Sequence, residues 1–500
     1  MAIQTRNSAL AVKVESTEGT PVEPAASGDY LALQDDFAMS PAFDTLDNAE
    51  LKASIGKAKS ILGLEQPSAS FSHYVRHSGV EGDAPNYGTM LKGIFGSEDV
   101  ESTEYNTVAG STSTVVNVDT GEGATFIRGQ ALLIKDATNG YRIRNVESIS
   151  GDALTLGFGV PTAPGTGVNL GKAVTYAPVS TGHPTYSVWH YLGNSGAIQM
   201  MSGARVVGAD ISIEAGGLIN ASYSMEGVEY YFNPITLSAT SNKLDFDEGG
   251  SELNATLTAK TYKDPHELAS AIQTAMNDLA VAGITVTYSN TTGKFTIVSD
   301  GATLNLLWST GANTANTIAG KIGFSAAADD TGALTYTSDN AQVLSSPQSP
   351  SFDTASPLVA KNNEVMLGTA TDYACFEASS VSVAIGAPKT DILSVCATSG
   401  KSGSVVQERT VEIQVSSLLS QYDADKFRAF RENDNVKFQY SFGNKSGGNW
   451  VAGQCGSIFC PTATVTSFEL ADQDGLVAMN LTLTGYVNDS GEGEVYMSFV

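Results

Sequence analysis

Long stretches in which apolar and polar residues alternate narrow the folds open to this chain more than any other feature, because a two-residue period puts successive side chains on opposite faces of a strand. In ARVVGADISIEAGGLINASYSMEGVEYYF, running from Ala204 to Phe232, Val206, Ile211 and Ile213 belong to one strand. Gly216-Gly217 then turns the chain into a second strand carrying Ile219, Ala221, Tyr223 and Met225. A second pair, ATVTSFELADQDGLVAMNLTLTGYV, turns about DQDG, with Val465, Phe468, Leu470, Leu476, Met479, Leu481 and Leu483 as its apolar content. Leu10, Val12 and Val14 alternate with Ala11, Lys13 and Glu15, which predicts a strand with one wet face. Phe71, His73 and Val75 alternate in the same way with Ser72, Tyr74 and Arg76.

Fifty glycines and only 16% charged residues agree with short strands and many tight turns. A length of 500 residues predicts about two to four domains. The net charge of -26 argues against a nucleic-acid grip, which needs Lys and Arg to displace counterions from phosphate. The opening stretch lacks the apolar core of a signal peptide, and no apolar run long enough to span a bilayer occurs. Four cysteines, Cys375, Cys396, Cys455 and Cys460, are too sparse for a disulfide scaffold and predict synthesis in a reducing cytosol.

The strand texture is interrupted twice. Residues 111–175 read as about five short strands with hairpin turns at Asn139-Gly140 and Gly151-Asp152, a small barrel-like β unit. Residues 252–345 read as a small α+β unit. There Asp264 caps a helix with Pro265 at its first position and Glu267 three residues beyond the cap. Leu268, Ala271, Ile272, Ala275, Met276 and Leu279 form its apolar stripe, and Ile284–Tyr288 with Lys294–Val298 form a following hairpin. A short helix is expected around Asp423 to Arg431, and Glu18 to Asp29 reads as a loop that orders when subunits stack.

Signs of chemistry are weak throughout. His73 and His77 fall on a strand, where their spacing holds them too far apart to share a metal, and His183 and His190 sit among aromatics in GHPTYSVWHYLG. Cys455 and Cys460 lack a second ligand pair, so a loop disulfide or two free thiols is expected. Gly400-Lys401-Ser402 lacks the earlier glycine of a phosphate loop, since position 395 is Val. Asp472, Asp474 and Gly475 lack the closing Glu of a calcium loop and fit a hairpin turn. No catalytic residue, cofactor site or metal site is expected. A glycosidase-like carboxylate pair is the enzymatic alternative, since two acids need only approach in space.

On the long pairs at 206–232 and 463–487, together with its acidity, the chain resembles the tail tube proteins of long, flexible-tailed phages. The piece LNATLTAKTYKDPHELASAIQTAMNDLAVAGITVTYSNTTGKFTIVSDG also resembles a small domain found inserted in phage virion proteins. The resemblance implies a mainly β fold: a β-sandwich tail-tube domain with a flanking helix, built from residues 1–110, 176–251 and 346–500 and interrupted by the two small units. It further implies a non-enzymatic tail protein, six copies to a ring, and rings stacked into a channel for DNA ejection. The expected partners are further copies of itself, a tape measure protein, a tail terminator and baseplate or tip proteins, with assembly in the host cytoplasm. DNA would pass without specific binding, and Glu214, Glu226 and Glu229 are the candidate pore-facing acids. Another baseplate or fibre protein with a surface-binding module is the alternative.

Overall fold

A computed structural model describes residues 3–25, 28–50, 55–136, 140–193, 196–301, 303–342, 344, 347, 350–352, 354–371, 373–375, 377–419, 424–488 and 493–500. The fold is mainly β. Its principal strands are β1 (Ala9–Val14), β2 (Ala38–Ser40), β3 (Ser68–Tyr74), β4 (Tyr186–Leu192), β5 (Ala197–Glu214), β6 (Asn220–Glu226) and β7 (Glu229–Phe232). These are followed by β8 (Glu364–Gly368), β9 (Ala378–Gly386), β10 (Thr410–Leu418), β11 (Asn435–Ser446), β12 (Asn449–Gln473), β13 (Leu476–Gly485) and β14 (Tyr496–Phe499). Helix α1 (Gly88–Phe95) lies between β3 and β4, α2 (Pro265–Asn277) between β7 and β8, and α3 (Ala424–Glu432) between β10 and β11.

One antiparallel ladder runs β2, β3, β6, β5, β9, β10, β13, β12. Its inward positions are the alternating residues singled out from the sequence. Val206, Ile211 and Ile213 on β5, Ala221, Tyr223 and Met225 on β6, and Leu481 and Leu483 on β13 are all buried in one core. The DQDG hairpin closes as expected, Gln473 opposite Leu476, with Asp474 and Gly475 at positive φ and the Gly475 N–H donating to Asp472 Oδ1 at 3.2 Å. Its tip protrudes, however, so Leu470 and Leu476 are exposed.

β5 and β12 are long enough to leave this sheet and enter a second layer, where β4 and β7 flank β5 while β11 and β14 flank β12. This gives the sandwich. β1 pairs with β4 and is covered on both faces through its middle: Leu10 and Val12 enter the main core, Ala11 enters a smaller one with Trp189 and Tyr231, and Glu15 beyond it is buried, while Lys13 is half-buried and Val14 at its end is exposed. A strand between two apolar layers buries both faces, which alternation alone does not reveal. The Glu15 carboxylate accepts from Gly203 N, Gly19 N and the Ser187 hydroxyl, and burial pushes its pKa up.

Val116, Leu132, Ile134, Val146, Leu154 and Leu170 form the separate core of a four-stranded sheet. Gly151-Asp152 makes the turn between Ser150 and Ala153 as expected, whereas Asn139 lies outside the described residues. The strand Ala173–Tyr176, at the end of the expected first unit, joins the main assembly instead. The second separate core contains α2 and begins at Ile235, ahead of the expected 252. Asp264 caps α2 by accepting from His266 N and Glu267 N, which contributes about 1 kcal/mol. Leu268, Ile272 and Met276 are buried against the Ile284–Ser289 strand, but Leu279 lies past the last turn and is exposed.

Candidate functional site

The face of the long ladder turned away from the core is the most distinctive surface of the molecule. Its positions are Ser68, Ser70, Ser72 and Tyr74 on β3, then Asn220, Ser222, Ser224 and Glu226 on β6. Asp210, Ser212 and Glu214 follow on β5, and Ser380, Ser382 and Ala384 on β9. Thr410, Glu412, Gln414 and Ser416 follow on β10, and Asn480, Thr482 and Thr484 on β13, with Ser467 and Glu469 on β12. Two shallow concavities in the middle of this face are lined by the β5, β9, β10, β12 and β13 residues.

Chemically the face is a field of hydroxyls and amides carrying Asp210, Glu214, Glu226, Glu412 and Glu469. Ser416 Oγ donates to Asn480 Oδ1 at 2.7 Å across β10 and β13, and Gln414 Nε2 donates to Glu412 Oε1 at 2.7 Å along β10, so the polar groups of the face are partly tied off both between and within strands. Partial burial raises the Asp210 pKa. At one margin Arg205 lies opposite Glu226, and it is spoken for: Nη2 donates to Glu18 at 2.9 Å, Nε to Ser404 at 2.6 Å, and Nη1 to the His183 carbonyl at 2.8 Å.

Of the three acids singled out from the sequence, Glu214 and Glu226 are exposed on this face, near opposite ends of the β5–β6 hairpin. Glu229 is elsewhere, 3.5 Å from Lys263 Nζ and accepting from the Tyr231 hydroxyl at 2.7 Å. Asp210, Glu412 and Glu469 were missed. Each sits at an outward position of an alternating strand, so the pattern that marked the core would have found them.

Elsewhere the side chains read as packing. His73 is buried between Tyr87 and Tyr223, and burial lowers its pKa to about 4. Both ring nitrogens of His183 lie near carbonyl oxygens, of Gly93 and Val179. His190 faces Gln199 and Phe37, and burial lowers its pKa. Cys455 and Cys460 lie on β12 rather than in a loop, as free buried thiols pushed up to about 12 by burial. Cys396 is free and exposed, and the Cys375 side chain lies outside the described residues. Lys401 is buried against Asp391 at 2.8 Å, a structural ion pair and not a phosphate ligand. Among the described residues no three His, Cys, Asp or Glu side chains cluster as metal ligands, and no helix is long and apolar enough to cross a membrane.

Residues 5–261, just over half of the chain, match the family described as Phage tail tube protein. The chain belongs to that family. It is therefore a structural protein of the virion tail, not an enzyme. No curated protein matches. Similar solved structures include "Virion of native gene transfer agent (GTA) particle", at 12% identity, TM-score 0.19, covering 27% of this chain and 95% of that one. Another is the "Tail of empty GTA particle computed with helical refinement, C6 symmetry", at 13% identity, TM-score 0.20, covering 28% and 96%. A third is the "Hybrid structure of the SPP1 tail tube by solid-state NMR and cryo EM - NMR Ensemble", at 13% identity, TM-score 0.18, covering 28% and 77%.

Proposed function

We propose that this tube-family chain assembles into rings, with the six-part outline that the resemblance implies, that stack into a hollow filament whose bore is the acid-bearing hydroxyl face. The observation that carries the reading is that face itself. It has an apolar core behind it, five carboxylates and no cation among the positions named above, and at one margin Arg205 is already paired to Glu18. A duplex moving along such a wall meets repulsion and no phosphate ligand, so it is not retained. Glu214 and Glu226 would face the bore, whereas Glu229, held by Lys263, would serve the contact with the α2 unit. The units around residues 111–175 and 252–345 would project outward, clear of bore and ring contacts. Tape measure, terminator and baseplate or tip proteins are the further partners, with assembly in the host cytoplasm.

The loop after β1 is already held within the chain. Glu18 pairs with Arg205, Val22 N donates to Ser187 Oγ at 2.9 Å, and Trp189 Nε1 donates to Val22 O at 2.8 Å. Stacking contacts would then fall to the exposed hairpins.

The test is negative-stain imaging of the concentrated protein, alone and with tail components. Stacked hollow rings are expected. A solid spike would favour the baseplate or fibre alternative, and a persistent lone chain would overturn the tube reading.

A further inference from the structure

The fourteen principal strands divide into two series with the same order of elements. The first is β1, β2, β3, α1, β4, β5, β6, β7; the second is β8, β9, β10, α3, β11, β12, β13, β14. Every antiparallel pairing in one has its counterpart in the other. β1–β4 matches β8–β11, β2–β3 matches β9–β10, and β3–β6 matches β10–β13. β4–β5 matches β11–β12, β5–β6 matches β12–β13, and β5–β7 matches β12–β14. α1 packs on β5 as α3 packs on β12. The long strand of each hairpin is bulged at the same point, between Val206 and Gly208 in β5 and between Val465 and Ser467 in β12. A two-stranded hairpin joins the second and third strands of each series, Phe43–Leu46 with Ile61–Glu65 in one and Lys389–Leu393 with Lys401–Val406 in the other.

The two units meet where Gly208–Glu214 of β5 pairs antiparallel with Ser380–Gly386 of β9. That joins the last strand of the first unit's sheet to the first strand of the second. The matching pieces at the two ends, Ser467–Gln473 of β12 and the segment around β2, have no strand on their outer sides among the described residues. Unpaired ends of this kind are sites for another chain.

Resting on the tube reading above, we propose that each chain supplies two ring positions, that β12 of one chain pairs with β2 of the next in the register of the β5–β9 ladder, and that three chains close the ring. Aligning the two bulges carries the internal register outward: Glu469 falls opposite Ser40, Leu470 opposite Met39, and Ala471 opposite Ala38, as Asp210, Ile211 and Ser212 fall opposite Ala384, Val383 and Ser382.

A second observation points the same way. The hairpin 389–406 of the second unit is docked on the first, Lys401 Nζ donating to Gln66 at 2.7 Å and Ser404 taking part with Glu18 and Arg205. Both hairpins keep apolar side chains exposed, Phe43, Leu46, Ile61 and Leu62 on one and Ile392, Leu393 and Val405 on the other, so it is the docking contacts of 389–406 on the first unit that the 43–65 hairpin of the next chain would repeat.

Head-to-tail contacts of this sort close into a ring when the rotation per step divides a full turn. Each chain contributes eight strands to the wall. At a strand spacing of about 4.8 Å and a tilt of about 40°, three chains give a barrel about 48 Å across, or roughly 38 Å between inward side chains. Two chains would leave only roughly 22 Å, about the width of a bare duplex and no room for its hydration. The six copies that the resemblance implies thus become six positions from three chains, and the α2 unit becomes the connection between the two positions of one chain.

The test places Ser40→Cys and Glu469→Cys in a Cys396→Ser chain, checks by negative stain that rings or tubes still form, and treats them with a short thiol-to-thiol cross-linker. A denaturing gel should show a ladder of one, two and three chains and stop there. The control pair Asp210→Cys with Ala384→Cys should cross-link within single chains. Tubes whose ladder stops at another number, or that give no ladder while the control cross-links, overturn the proposal and leave the tube reading intact. Absence of any ring from the unsubstituted protein overturns both. Class averages should show threefold symmetry with a sixfold-like outline, and true sixfold symmetry would also overturn it.

Discussion

Ile211 of β5 lies opposite Val383 of β9, and both side chains are buried in the main core although they come from the two halves of the chain. Their contact is the hinge on which the two units become one sheet. The equivalent of Ile211, Leu470, is 56% exposed in the single chain.

That difference separates folding from assembly. Val383→Ala removes two buried methyl groups and should cost about 2 kcal/mol, lowering the urea midpoint of the single chain. Leu470→Ala should leave that midpoint within about 0.5 kcal/mol of its original value yet reduce ring formation, seen by sedimentation. A Leu470 variant that unfolds as readily as the Val383 variant would contradict the assignment.

His73 sets an acid limit on the fold. Burial lowers its pKa from 6.5 to about 4, so the folded chain keeps it neutral while the unfolded chain protonates it. A depressed pKa contributes stability that is complete above pH 6.5 and is lost as pH falls toward 4. By pH 4.5 this group alone should cost about 2 to 3 kcal/mol, and His73→Phe should flatten the fall in urea midpoint between pH 7 and 4.5. An unchanged slope in that variant would refute the assignment.

If the hydroxyl face lines the proposed bore, its charge should govern whether tubes retain DNA. Glu412→Lys with Glu469→Lys converts two outward carboxylates to cations without touching the core. Tubes of this variant should retain short duplex DNA in low salt and release it as salt rises, by co-sedimentation, whereas the original tubes retain none. Equal retention by both would mean that this face does not line the channel.

The thiols report on β12. Cys396 should react with a thiol reagent in the native protein, while Cys455 and Cys460, buried and pushed up to about 12, should react only after denaturation. Prompt native labelling of either would show that β12 is open.

The cap on α2 tests whether its unit folds by itself. Asp264→Ala removes acceptors for His266 N and Glu267 N and should cost about 1 kcal/mol, read as a lowered thermal midpoint for the α2 core with the main sheet unchanged. A shift of both together would show that the two cores unfold as one.

By itself, the sequence determined the long hairpins, their inward faces and the capped helix α2, because a two-residue period and a capped helix are local physics written in neighbouring residues. Val206, Ile211 and Ile213 were legible for that reason, and so in principle were the outward acids Asp210, Glu412 and Glu469. Tertiary structure alone decided that Ala11 and Glu15 are covered on a second side, and that Arg205 spends its charge on Glu18. It also decided that β5 and β12 hold the same place in two units whose side chains differ, as Ala209 and Phe468 do. Strand pairing is a relation between distant backbones and needs only that inward positions be apolar, so a fold can be repeated while the residues that spell it are not.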